Sequence, residues 1–245
     1  MSNNDTVELR TQKFSWRTFW LLTGAGVLGV MATIPAALTA QKDLLKDFPI
    51  PLWVILPVQI LQNAVLIGGA VGVGLWLGKK VGLGAPLVED RLHGEKIWQR
   101  VKGILRPSVS LGIGVAVLIS VLDFAVFAPR MPQPTMKPPS TAVWQDLLAS
   151  VYGGVTEELL MRLGLFTLVT WLVVKISRRP SGLPGVKALC AVNLIVAVLL
   201  GLGHLPATAF VFPLTSLVLS SLLAAEICPG PDCLRVCWIA LKQAG

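Results

Sequence analysis

Thr156-Glu157-Glu158-Leu159-Leu160-Met161-Arg162 sets two carboxylates and a guanidinium inside an apolar run. Leu147 to Val155 before it carries no charge, and Leu163 to Val174 after it stays uncharged until Lys175. The whole run, Trp144 to Val174, exceeds the roughly 20 residues that cross a bilayer as a helix. A charged side chain at a bilayer centre costs roughly 2.5–3.5 kcal/mol even on the mildest scale. Three such groups within so few residues persist only with partners and a purpose.

The rest of the composition agrees that this is membrane sequence. Of 245 residues, 54% are hydrophobic and only 14% charged, with a mean hydropathy of +0.72. A soluble domain carries about 25% charged residues, so the expected fold is all-α, a polytopic membrane helical bundle of about six transmembrane helices. The net charge of +8 does not point to nucleic acid. Its basic residues cluster between apolar runs, where cytoplasmic loops meet anionic lipid. Membrane lipid is the expected partner.

Working outward, Phe19 to Ala40 is the first predicted span and is longer than the apolar core of a cleaved signal peptide, although Ala36 to Ala40 resembles a cleavage site. Leu52 to Leu77 is the second, with glycines from Gly68 to Gly74 that permit close helix contact. Lys79 to Arg106 is a basic stretch. Its second half, from Ile97 and Trp98 through Val101 to Leu105, is amphipathic and suits a helix lying along the membrane surface; a plain loop is the alternative. Val109 to Phe127 is the third span, interrupted by Asp123, and the proline-rich Pro129 to Pro139 reads as an extended connector. Trp144 to Val174, Ala188 to Leu202 and Ala207 to Ala225 complete the set. The chain thus divides into a polar N-terminus (1–18), N-terminal spans with the basic loop (19–142), a core carrying the charges (143–226) and a tail (227–245).

Basic residues predict the orientation. With the N-terminus cytoplasmic, the inner segments hold sixteen: Arg10, Lys13, Arg17, Lys79, Lys80, Arg91, Lys96, Arg100, Lys102, Arg106, Lys175, Arg178, Arg179, Lys187, Arg235 and Lys242. The outer segments hold four: Lys42, Lys46, Arg130 and Lys137. That split places both termini in the cytoplasm and suits a multi-pass protein of a bacterial-type plasma membrane. In the tail, Cys228, Cys233 and Cys237 suggest zinc by spacing, but paired Cys units with two further ligands are lacking, and the only histidines are His93 and His204. Thiols on the reducing side are the preferred reading, and His93 reads as a solvated loop residue.

The charged stretch contains a division of labour. On a helix, Glu158 and Arg162 stand at i and i+4 and meet on one face. Such a pair lowers the burial cost of both charges without having to stabilise the fold. Glu157 lies about 100° round an α-helix and is not neutralised by that contact, which makes it a candidate general base. Plain interhelix polar glue is the alternative. His204 is the one histidine in an apolar setting. It stands near the outer end of the fifth span, somewhat shallower than Glu157, so the two meet only if that span tilts or bends at Gly201 and Gly203. Beside a carboxylate, His204 would orient a water molecule or hold a metal while Glu157 takes the proton.

Glu157-Glu158-x-x-x-Arg162 on a membrane helix, followed by Leu200-x-x-x-His204, resembles the first two motifs of the CPBP (CAAX-processing and bacteriocin-processing, Abi) intramembrane proteases. The resemblance covers Val143 to Glu226, and Leu200 stands where the family usually has phenylalanine. It implies a membrane endopeptidase, a hydrolase in which Glu157 and His204 are catalytic and activate water, with Glu158 and Arg162 holding the site in shape. Its substrate would be a peptide or a membrane protein. The resemblance leaves open whether a divalent metal such as zinc binds at Glu157 and His204. The family's third motif, His-x-x-x-Asn/Asp, is associated with metal ligands or oxyanion donors. No histidine follows His204, so the chain is expected to be a truncated or divergent member, and inactive if that motif is indispensable. Two other functions fit the same residues: a non-catalytic membrane scaffold or immunity-type relative, and a proton-coupled transporter relaying through Glu157, Asp123 and His204.

Overall fold

Ser15 begins the first helix by accepting a hydrogen bond on its side chain from the Thr18 N–H, the usual N-cap arrangement. From there the computed structural model is helical throughout; it describes residues 14–42, 50–132, 140–177 and 183–211, with Pro213 and Val218. The elements are α1 (Trp16–Ala40), α2 (Leu52–Val81), α3 (Pro86–Leu92), α4 (Trp98–Arg130), α5 (Val143–Ser177), α6 (Val186–Gly203) and α7 (Leu205–Val211). Five of them (α1, α2, α4, α5 and α6) are long and apolar enough to cross a membrane, so the protein is a multi-pass helical membrane protein. Most of the sixth predicted span lies outside the described residues, as do Cys228, Cys233 and Cys237.

Two boundaries differ from the sequence-based expectation. The amphipathic segment is no separate surface helix: Trp98 opens a helix that continues to Arg130. Its apolar stripe runs in phase into the third span, and Pro107 removes one backbone hydrogen bond without ending the helix. Asp123 does not interrupt that span either; it heads a π-helical turn, Asp123–Phe127. The larger departure is in α5, where Tyr152–Phe166 is π-helical over 15 residues. Each N–H there reaches back five residues instead of four, a geometry mostly confined to single turns and frequent at functional sites. Gly153 and Gly154 lie in its first turn, where missing side chains let the backbone open.

The core lies between α1, α2 and α5. Val30, Ile67, Val71 and Leu75 are buried there, with Tyr152, Leu159 and Leu163 of α5 packed against them. Small residues allow this approach: the backbone carbonyl of Leu163 occupies the space a Cβ at Gly74 would need, and Gly164 meets Ala70 in the same way. At the other contact, the buried Thr156 hydroxyl donates to the Gly26 carbonyl at 2.8 Å, between Gly26 and Gly29 of α1. Gln145 ties the start of α5 to the end of α1, donating to the Pro35 carbonyl (3.1 Å) and the Thr39 hydroxyl (2.8 Å). These contacts fix the height of the charged stretch against α1.

Thr156→Val keeps the shape and removes one interhelix hydrogen bond. It is expected to lower stability by about 0.5–1.5 kcal/mol, read as a reduced melting temperature in detergent. An unchanged melting temperature would show that this bond contributes nothing net.

Candidate active site

Glu157, Glu158 and Arg162 all sit in the π-helical stretch, but their surroundings differ. Arg162 Nε lies 3.7 Å from Glu158 Oε2, and Arg162 Nη1 donates to Asn193 Oδ1 at 2.7 Å. The guanidinium therefore bridges a carboxylate of its own helix and an amide of α6. Glu158 and Arg162 also line an apolar groove of about 360 Å³ between α1, Leu83–Ala85 and α5, which Glu157 does not line. Glu157 faces the end of α6, with its Oε1 4.0 Å from His204 Nε2.

The meeting of Glu157 and His204 follows from the end of a helix and a break. The 18 residues of α6 rise about 27 Å, and the helix ends at Gly203, beside Glu157 of α5. At His204 the helix stops and α7 begins at Leu205, since Pro206 has no N–H to continue the ladder. The His204 carbonyl accepts from the Thr208 N–H and hydroxyl, both at 3.0 Å, as the first turn of α7 takes over. Its ring is held by the Leu200 carbonyl, 2.9 Å from Nδ1. A carbonyl only accepts, so Nδ1 carries the proton in the neutral ring, and Nε2 of that tautomer presents a lone pair towards Glu157. Leu200 thus acts through its backbone, which any side chain at that position supplies.

Nε2 and Oε1 at 4.0 Å are too far apart for a direct hydrogen bond. A water about 2.8 Å from each would donate one O–H to the carboxylate and one to the imidazole, meeting them at an angle close to its own. Its lone pairs would then point away from both. The pair is also open enough to admit water, since Glu157 and His204 side chains are 31% and 43% exposed.

A catalytic zinc takes three protein ligands. Among the described residues no three His, Cys, Asp or Glu side chains converge, so Glu157 and His204 offer one carboxylate and one imidazole. That donor set does not fit zinc, and the chemistry below runs through the two side chains. Asp123 is not brought to them: it lies on α4, where none of the residues Trp98–Leu122 or Asp123–Phe127 is buried. His93 is also apart, its Nδ1 2.7 Å from the Glu89 carbonyl at the exposed end of α3.

Asn193 escapes the sequence reading, although a lone amide in the apolar run Ala188 to Leu202 was a signal. Asn193→Ala removes the α6 partner of Arg162. Hydrogen bonds to charged groups contribute about 1.5–3 kcal/mol; with Arg162 about one-third exposed, a loss of about 1 kcal/mol is expected, measured as a lower melting temperature. No change would mean that Arg162 holds α5 to α6 by other contacts. Compared with known proteins, the chain matches no family model, no curated protein and no solved structure.

Proposed function

We propose that this chain is an intramembrane peptidase that cleaves peptide bonds of peptide or membrane-protein substrates in or next to the bilayer. The observation that carries the reading is the Glu157 carboxylate facing the His204 imidazole at a distance that suits one bridging water. The resemblance of Glu157-Glu158-x-x-x-Arg162 and Leu200-x-x-x-His204 to the CPBP proteases supports it. Glu157 acts as general base and takes a proton from the bound water as its oxygen attacks the scissile carbonyl. His204, held as the Nδ1–H tautomer by the Leu200 carbonyl, orients that water by accepting its other O–H. The tetrahedral intermediate collapses as protonated Glu157 hands its proton to the leaving amine, which balances the hydrolysis and restores the carboxylate. Glu158, Arg162 and Asn193 set the position of α5 against α6.

The distribution of basic residues orients the chain in a bacterial-type plasma membrane with both termini cytoplasmic. In that orientation His204 lies towards the extracytoplasmic side. Mass-spectrometric mapping of new peptide termini, in membranes expressing the chain and its Glu157→Gln variant, tests the reading. Termini that depend on Glu157 support it; identical termini in both membranes exclude it.

A further inference from the structure

The second span carries an amide patch that peptide hydrolysis, as described, does not use. Gln59, Gln62 and Asn63 stand at i, i+3 and i+4, on one face of α2. Asn63 Nδ2 turns back to the Gln59 carbonyl at 2.9 Å. Among the described residues, nothing pairs with Asn63 Oδ1 or with the Gln59 and Gln41 amides.

Gln59 and Asn63 line a cleft of about 290 Å³ between α1 and α2, together with Thr33, Gln41 and Tyr152. Gln41 follows α1 and Leu52 starts α2, so the lining of the cleft runs inward from that end of the bundle. Asn63 lies roughly 16 Å along α2 from Leu52, and Tyr152 roughly 14 Å along α5 from Val143. Both depths are close to half the thickness of a hydrocarbon core, about 15 Å.

Amide groups without partners at that depth are strongly disfavoured against lipid. The cleft is also far larger than the about 30 Å³ each water occupies in the liquid. Tyr152 forms its inner wall and stands one π-helical turn before Glu157, since residues five apart are hydrogen-bonded neighbours there.

We propose that the cleft between α1 and α2 is a water-filled vestibule that opens at the Gln41–Leu52 end and supplies water to Glu157 and His204. The supply step rests on the peptidase reading; the wetness of the cleft does not. The test uses the full chain in sealed membrane vesicles, with Thr33→Cys, Gln59→Cys and Asn63→Cys each treated with a membrane-impermeant methanethiosulfonate. Sites of modification are assigned by mass spectrometry, so the native cysteines can stay. Leu61→Cys is the control, since Leu61 has a similar depth on α2 but is 65% exposed and outside the cleft.

Because the reagent needs a hydrated thiolate, cleft positions should react at least about tenfold faster than Leu61→Cys, and only from the Gln41 side. Equal rates at cleft and control positions would overturn the vestibule. A variant that fails to insert is replaced by either of the other two cleft positions. Fast labelling without Glu157-dependent cleavage would keep the vestibule and remove the peptidase reading. With cleavage present, Asn63→Leu should lower kcat several-fold at unchanged KM, and an unchanged kcat would overturn the supply step.

Discussion

Glu157→Gln is expected to reduce peptide cleavage by about 10²–10⁴-fold, the range lost with a general base, while insertion and melting temperature stay within error of the parent chain. The amide keeps the shape of the carboxylate but cannot take a proton from water. Little stability should go with it, because Glu157 is partly exposed and the His204 ring facing it is beyond hydrogen-bond distance. His204→Gln should cost a similar factor. The double variant should be little worse than either single one, since groups that act on one water act as a unit. Independent, additive losses would mean that the two side chains do not share a water. A Glu157→Gln chain that cleaves normally would remove the proposed mechanism. A cellular phenotype indifferent to Glu157→Gln but abolished by Arg162→Ala would instead favour a non-catalytic scaffold, in which the Glu158–Arg162–Asn193 bridge is the part that matters.

What could be read from the sequence was what hydropathy and charge spacing encode. A lipid-facing helix needs only length and apolar composition, so the five spans around Phe19, Leu52, Val109, Trp144 and Ala188 were legible, and so was the Glu158–Arg162 spacing. The backbone geometry beneath that spacing was not. A run of apolar residues has the same hydropathy whether its N–H groups reach back four residues or five, so nothing announced that Tyr152–Phe166 is π-helical. The meeting of Glu157 with His204 needed a bend that the sequence only permitted. It came from where α6 ends, at Gly203, with a break before Pro206, a relation between the end of one helix and the middle of another. Gly68 to Gly74 signalled a close contact somewhere along α2 without saying which glycine makes it. Asn193 and the amides of α2 stood in plain view and were passed over, because single polar residues in apolar runs carry no periodicity.

Gly74→Ala should be strongly damaging, although it adds one methyl group. A Cβ there would overlap the Leu163 carbonyl oxygen and lie 2.6 Å from Leu163 Cγ, where ordinary contact begins at 3.4 Å. The obstacle is helix backbone, which cannot rotate away as a side-chain tip can, so α2 and α5 must separate by about 1 Å. Overpacking of this kind costs about 1–3 kcal/mol. Leu163 follows Arg162 directly, so the shift falls on the stretch that holds Glu157 against His204. A misplacement of about 1 Å can lower a rate about 10²-fold, which gives the substitution two separate readouts. Gly69→Ala supplies the control on the same helix: a Cβ there meets nothing within 4 Å. Alanine should be neutral or stabilising at that position, by up to about 1 kcal/mol in helix propensity. A lower melting temperature and slower cleavage for Gly74→Ala alone would show that helix spacing sets the active site. Equal behaviour of the two variants would mean that α2 and α5 are not packed through Gly74.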